Sequence, residues 1–545
     1  MVAPIVKFDG DRMSVRFDDF GIDAYRMFLR CKRLPEYELA FDDQAEAYII
    51  SAPSRFADII GVDPPSRAVT DLPFASFLFD DQVCLTQRAL DAKRFAVWSG
   101  CGNGKTLIGL EYARHVVHKT GGRVLIVTLN EIVPQWIDEA RTFYGDGLHI
   151  TRLHSRDDML AWCKDGSGIA ITNYEKFNPG RLEDQVVNEC RYLAGIVLDE
   201  SSRLKGGGGK QKWALIKSCR GIEYKLSLTA TPAPNDTIEF ASQASFLEKM
   251  RSEGDIIWTY FSRDPVTTKW MVKPHAKQAF FEFMSSWSIY VNDPKTYGWR
   301  HDVPDVPKPV YHEVEVPITH EQREWLQRLT ADIKTGQMDL FGGGESQSVV
   351  QRTKLSQVAK GFVYGNGEGE TRTICKVKSE KPAATAKIIK QEYDGGSQVL
   401  VWTVFDEEST ILAGELSGSV DFALLTGATK EADRLRILED FRSGKVRVLI
   451  SRASMLGYGM NFQCCSAMVF SGWTDSFESL YQAVRRAYRH GQTEAVRVYF
   501  PVVRELEGDT LENIQRKERE FETSIAEMEK CYIKATKGEW RASGC

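Results

Sequence analysis

The chain has 545 residues, 43% of them hydrophobic and 27% charged, with a formal net charge of −5. That length exceeds what one core can serve and predicts three to four domains, while the composition excludes a disordered, collagenous or membrane-spanning chain. The charge balance neither marks nor excludes a nucleic-acid binder, because phosphate contacts need local basic patches rather than a basic total.

Residues 1–70 predict a small α+β accessory module. Met13–Phe17 alternates like a strand, and Asp23–Lys32 carries Tyr25, Phe28 and Leu29 on one helical face. Tyr48–Ile50 suggests another strand, and a short helix follows Pro53-Ser54. The N-terminus lacks the charged region and long apolar run of a leader, so a bacterial cytoplasmic location is expected, with no membrane.

Residues 71–236 predict a doubly wound α/β domain. Phe95–Ser99, Arg123–Leu129, Gly168–Thr172, Gly195–Asp199 and Lys225–Thr229 are mostly continuous apolar runs, as in parallel strands covered on both faces. The first run leads into Gly100-Cys101-Gly102-Asn103-Gly104-Lys105-Thr106 and then into helical periodicity through Leu110, Ala113 and Val117. Strand, glycine loop, Lys-Thr and helix form a phosphate cradle. Glycines let backbone N–H groups curl toward an anion, and the helix adds its positive dipole end. Lys105 would reach terminal phosphates and Thr106 would hold magnesium.

Asp199-Glu200 closes a buried strand. Asp199 is placed to hold a cation, and Glu200 to orient and deprotonate an attacking water. Helix-capping acids would look the same. Lys205, just downstream, could touch a phosphate or stay solvated. Thr229-Ala230-Thr231 ends the last of these strands. His115 and His118 are close, yet without the paired ligands of a zinc site they read as a solvated helix face. The eleven cysteines contain no CxxC pair and argue against a disulfide framework.

Residues 237–375 predict a mostly helical insertion, with helices near Thr237–Lys249, His275–Ser286, His320–Lys334 and Val349–Gly361. Alternation returns over 376–503, where Gln398–Thr403, Asp421–Leu425, Val446–Ile450, Ala467–Phe470 and Val496–Phe500 look like strands. Arg486 and Arg489 there share a helix face, a pair able to stabilise a transferring phosphate from a second body. Residues 504–545 predict a C-terminal bracing helix.

Taken in order, these motifs resemble the superfamily-two helicases, and within them the compact phage or bacterial members of the Swi/Snf-type ATP-dependent DNA translocases. Phe79-Asp80-Asp81-Gln82 resembles the adenine-reading glutamine motif. Gly102–Thr106, Val124–Leu129 with Gln135-Trp136, Ile171–Glu175, Asp199–Ser202 and Thr229–Thr231 resemble motifs I to III. Val399–Thr403, Gly457–Gln463 and Gln482–Gln492 resemble motifs IV to VI. The likeness covers roughly residues 72–500. It implies two RecA-like parallel-sheet lobes with ATP and Mg2+ between them.

On that likeness the nucleotide site comprises Gln82, Gly102, Asn103, Gly104, Lys105, Thr106 and Gly459, with Thr106 and Asp199 on the metal. Lys105, Asp199, Glu200, Arg486 and Arg489 are the catalytic set. Thr128, Asn130, Asn173, Thr403, Thr426 and Ser454 are expected to grip DNA, duplex or branched, without reading its sequence. The expected activity is that of a DNA-dependent ATPase in replication, repair or recombination, acting as a monomer. The N-terminal module or the insertion leaves room for a protein partner. A strand-separating DNA or RNA helicase and an ATP-gated recruitment subunit are the competing readings. Three residues depart from the family pattern: Ser99 before the loop, Leu129 where Pro is usual, and Ser202 where His or Gln usually ties the site to the second lobe.

Overall fold

The computed structural model describes residues 4–9, 12–34, 37–42, 46–62, 72–100, 102–178, 190, 192–204, 209–233, 236–264, 270–300, 306–334, 344–366, 372–453, 455–456, 462–489 and 492–536. Cys101, Lys205, Ser454 and Gly459 lie outside the described residues.

The apolar runs of 71–236 become the centre of a seven-stranded sheet. Its order is Ser288–Val291, Arg94–Ser99, Tyr224–Thr229, Gly195–Leu198, Val124–Thr128, Ile169–Asn173, Ile150–Arg152. Every pairing is parallel. Phe95, Ala96, Val97 and Trp98 have no exposed surface, as expected where helices cover both faces. All strands run the same way, so the loops after Arg94–Ser99, Gly195–Leu198 and Tyr224–Thr229 gather at one end of the sheet. Ligands of open α/β sheets bind at that end.

A second all-parallel sheet runs Val310–Glu315, Arg497–Val502, Ala467–Phe470, Val399–Thr403, Val448–Arg452, Phe422–Leu425. The stretch 237–375 therefore donates a strand to each sheet. Ser288–Val291 pairs with the strand that precedes the glycine loop, with Val291 opposite Ser99. Val310–Glu315 pairs with Arg497–Val502. Between and after them lie helices such as Lys277–Ser285, His320–Lys334 and Gly344–Ala359. Four-residue Ser288–Val291 carries little periodicity of its own, and Val310–Glu315 alternates like an edge strand, so both draw their assignment from their neighbours.

The N-terminal module is a four-stranded antiparallel sheet, Ile5–Asp9, Arg12–Phe17, Ala47–Pro53, Glu38–Asp42 in spatial order. It has its own core of Met13, Val15, Phe17, Ile50 and Phe56, over which Ile22–Cys31 packs.

The helix Arg504–Thr536 spans both sheet units. Phe521 packs on Phe477 of the second unit at 5.4 Å and on Tyr290 of the first at 6.1 Å. Tyr532 meets Tyr297 at 6.1 Å. At its first turn Glu507 is buried and takes Lys360 at 2.7 Å and Lys381 at 2.6 Å. Burial alone would raise the Glu507 carboxyl, but the two ammoniums outweigh it and hold it below its ordinary value. Breaking such a group is costly because uncompensated charge stays buried. We expect Glu507→Gln to lower stability by about 3–5 kcal/mol, read from urea unfolding.

Candidate nucleotide site between two lobes

The phosphate loop is built as its glycines predict. Gly102 and Gly104 hold φ of 94° and 73°, in the left-handed region that side chains avoid. Gly104 also initiates the helix Lys105–Thr120. A Cβ there would lie 2.1 Å from Nε2 of Gln82. Gln82 is itself buried, and its Oε1 accepts the Phe79 N–H at 3.1 Å. The glutamine therefore lies directly against the loop. Asn103 Nδ2 donates to the carbonyls of Val291 and Asn292, each at 3.3 Å, and Gly100 N donates to Val291 O at 3.2 Å. The recruited edge strand thus pins the loop.

Lys105 Nζ donates to the carbonyls of Ser99 and Gly100 at 2.9 and 3.1 Å. An ammonium held this way beside a glycine loop fits a polyphosphate. The hydroxyl of Thr106 and the carboxylate of Asp199 are hard oxygen donors that suit magnesium. The residues present therefore fit ATP and Mg2+.

Asp199 is buried. Its Oδ2 accepts from Trp136 Nε1 at 2.8 Å and Thr128 Oγ1 at 2.9 Å, and its Oδ1 from Glu200 N at 3.0 Å. Desolvation pushes its carboxyl upward, against these bonds and the nearby Lys105 charge. Glu200 sits at φ 51°, a strained setting for a residue with a side chain, and its Oε2 accepts from Thr229 Oγ1 at 3.4 Å. Ser201 and Ser202 are both buried, and Ser201 Oγ meets Ser227 Oγ at 2.8 Å. The tie between lobes that Ser202 leaves in doubt comes one strand over: Thr231 Oγ1 donates to Glu478 Oε1 at 3.4 Å.

The two arginines divide. Arg486 is buried, with its guanidinium 5.1 Å from the Trp402 ring centre and Nη2 donating to Ala453 O at 3.3 Å. These contacts anchor it in its own lobe. The charge of Arg489 acts on Glu139 of the first lobe, a carboxyl that burial raises above its ordinary value and that accepts from Gln135 Nε2 at 2.7 Å.

Of the residues assigned to a nucleic-acid grip, two are corrected. Thr128 is fully buried with its hydroxyl on Asp199, and so belongs to the nucleotide site. Thr403 is buried and shares a 2.8 Å bond with Ser409 Oγ. A hydroxyl closed off from solvent cannot reach a phosphate backbone. Asn130 and Asn173 stand together, with Asn173 Nδ2 donating to Asn130 Oδ1 at 3.0 Å at the C-terminal ends of adjacent strands. Thr426 is half-buried just past Phe422–Leu425. His115 faces Glu111 at 3.2 Å, and among the described residues no group of three or more His, Cys, Asp or Glu is placed to hold a metal.

Sequence reasoning passed over Glu139 and the role of Trp136. The signal was present in their spacing, since positions three apart share a helix face and both lie on Val133–Tyr144.

Among the described residues no helix is long and apolar enough to cross a membrane. Residues 78–234 match the family model "Type III restriction enzyme, res subunit", and 380–491 match "Helicase conserved C-terminal domain". Putative protein p41 of Acyrthosiphon pisum secondary endosymbiont phage 1 is 23% identical over 478 residues, covering 82% of this chain and 96% of that protein. Probable ATP-dependent DNA helicase CHR12 of Arabidopsis thaliana is 22% identical over 430 residues, 73% of this chain but 37% of its own length. DNA repair protein RAD5 of Saccharomyces cerevisiae is 29% identical over 154 residues, 26% of this chain and 13% of its own length. The chain thus spans nearly all of the phage relative and a minor part of the plant and yeast ones. The solved Sulfolobus solfataricus SWI2/SNF2 ATPase core in complex with dsDNA aligns over 85% of this chain and 99% of its own, at 17% identity and a TM-score of 0.37. The two family matches lie in order, one on each parallel sheet, and the chain carries the paired RecA-like lobes and the machinery of a superfamily-two helicase-type ATPase.

Proposed function

We propose that the protein is a motor that hydrolyses ATP to move along duplex or branched DNA without regard to sequence, as a monomer, in replication, repair or recombination. The observation that carries this reading is a glycine loop and acid pair on the first lobe tied to the second lobe where Thr231 Oγ1 donates to Glu478 Oε1 at 3.4 Å, with the charge of Arg489 acting on Glu139. A site divided between two bodies is complete only when they close, and that closure is what a motor couples to movement. The similarity to a phage protein supports a setting in the bacterial cytoplasm during phage infection.

In this reading the loop N–H groups and Lys105 hold the phosphates, and Gln82 takes the base. Thr106 and Asp199 hold Mg2+, which when bound neutralises charge on the terminal phosphates. Glu200 orients the attacking water and accepts its proton. Arg489, with Arg486 behind it, meets the charge that develops on the transferring group. Asn130, Asn173, Thr426 and Ser454 are the proposed DNA contacts, and Gly459 a nucleotide contact.

The test is ATP turnover with single-stranded, duplex, forked and four-way DNA and with RNA. Duplex and branched DNA should each raise turnover at least about tenfold, in line with a site completed by closure, and forked substrates should not be unwound. Stimulation by RNA alone, or strand displacement, would replace this reading with a strand-separating helicase. Nucleic-acid binding without any stimulation would replace it with a recruitment subunit.

A further inference from the structure

The helix Lys105–Thr120, which begins at the phosphate loop, carries a fully buried acid, Glu111. Its Oε1 accepts from Ala75 N at 3.0 Å and Arg114 Nη2 at 2.5 Å, with His115 Nε2 at 3.2 Å. Its Oε2 accepts from Arg114 Nε at 3.0 Å and the Tyr144 hydroxyl at 2.7 Å. Burial alone would raise this carboxyl, but the bonds from His115, Arg114, Tyr144 and Ala75 outweigh it and hold it at about 2.

This cluster holds the chain that leads to Gln82. Residues 72–79 form neither helix nor strand, so side chains must fix them. Ala75 N ends on Glu111, and Arg114 Nη2 donates to Pro73 O at 2.6 Å. Phe74 stacks on His115 at 4.5 Å, and Phe77 meets Tyr144 edge-on at 5.0 Å. Leu78 N then closes a turn on Ala75 O at 3.1 Å, and Phe79 N donates to Gln82 Oε1 at 3.1 Å. That last bond sets which end of the Gln82 amide is the oxygen, and leaves Nε2 beside Gly104. We propose that Glu111 is a positioning residue for base selection: by holding residues 73–79 it fixes the Gln82 amide, and so favours adenine over a purine with an oxygen at position 6. This inference rests on the reading of Gln82 given above.

The argument is one of hydrogen-bond polarity. Adenine offers a donor at its 6-amino group and an acceptor at N7, which an amide matches with its oxygen and its N–H2. Guanine and hypoxanthine carry an oxygen at position 6, and it meets the fixed amide oxygen with no proton between them. An amide free to turn over loses that preference. An ionised Glu111 only accepts, which suits the donors around it. With glutamine there, one oxygen becomes N–H2, and a donor from Ala75, Arg114 or Tyr144 is left facing another donor. The phosphate loop is pinned separately, through Asn103 to the carbonyls of Val291 and Asn292, so it keeps its shape while the segment before Gln82 loosens.

The test uses the full chain and displacement of a fluorescent ATP analogue (mant-ATP) by ATP, by ITP and by inorganic tripolyphosphate. The wild type should favour ATP over ITP by about tenfold or more, the usual worth of a matched pair of base contacts. In Glu111→Gln that ratio should fall to within about twofold of parity, while tripolyphosphate, which has no base, competes as in the wild type. Phe74→Ala loosens the same segment and keeps the carboxylate. Its ratio should lie between the two, and it serves also if the amide variant does not fold. A wild type that binds ATP and ITP alike would remove the reading of Gln82 and this inference with it. A wild type that favours ATP, with variants that keep its ratio or that lose tripolyphosphate in equal measure, would remove only the inference.

Discussion

In Glu200→Gln, turnover should fall by about 10³-fold, the usual worth of a positioned general base, while ATP still binds. Glu200 follows Asp199, the proposed Mg2+ ligand, at the end of a buried strand. Its backbone is held at φ 51°, a conformation that costs of order 1–3 kcal/mol and persists where the surroundings impose it. That turn separates the two acids. Asp199 points inward to Trp136 and Thr128, while Glu200 lies by Thr229. Glutamine keeps the size and the Thr229 contact but cannot take a proton from water. Single-turnover hydrolysis and mant-ATP binding measured together check the claim. Hydrolysis at the wild-type rate would assign the base elsewhere.

Arg489→Ala should leave DNA affinity within about twofold and remove DNA-stimulated turnover, by about 10³-fold on the scale of arginines delivered from a second body. The geometry separates this residue from Arg486. The latter is buried over Trp402 and bonded to Ala453, so its truncation would also loosen the second lobe. The charge of Arg489 acts on Glu139 of the first lobe, so its loss should act on chemistry and leave the fold intact. Turnover with and without duplex DNA, beside a DNA-binding titration, distinguishes these. Retained stimulation would refute the shared site.

Much of the first lobe was legible in one dimension. Parallel strands covered on both faces must be apolar along their whole length, so Phe95–Ser99 and Gly195–Asp199 announce themselves. A loop that wraps an anion needs positive φ, so its glycines are visible too, and both Gly102 and Gly104 adopt it. The C-terminal helix showed the same clarity, through the spacing of Leu511, Ile514 and Phe521.

Other features depended on what lies across space. Thr128 and Asn130 look alike at a strand end, yet Thr128 turns to Asp199 while Asn130 pairs with Asn173. Which way a strand-end side chain faces follows from the pleat and from its neighbour. Ser288–Val291 and Val310–Glu315 became sheet strands because exposed edges accept them. So local chemistry alone determined the phosphate loop, the acid pair and the lobes' central strands. The tertiary structure decided that Thr128 turns to Asp199, that Thr231 ties to Glu478 of the second lobe, and that an edge strand pins the loop. Those outcomes depend on distances between residues far apart in the chain, which no local pattern encodes.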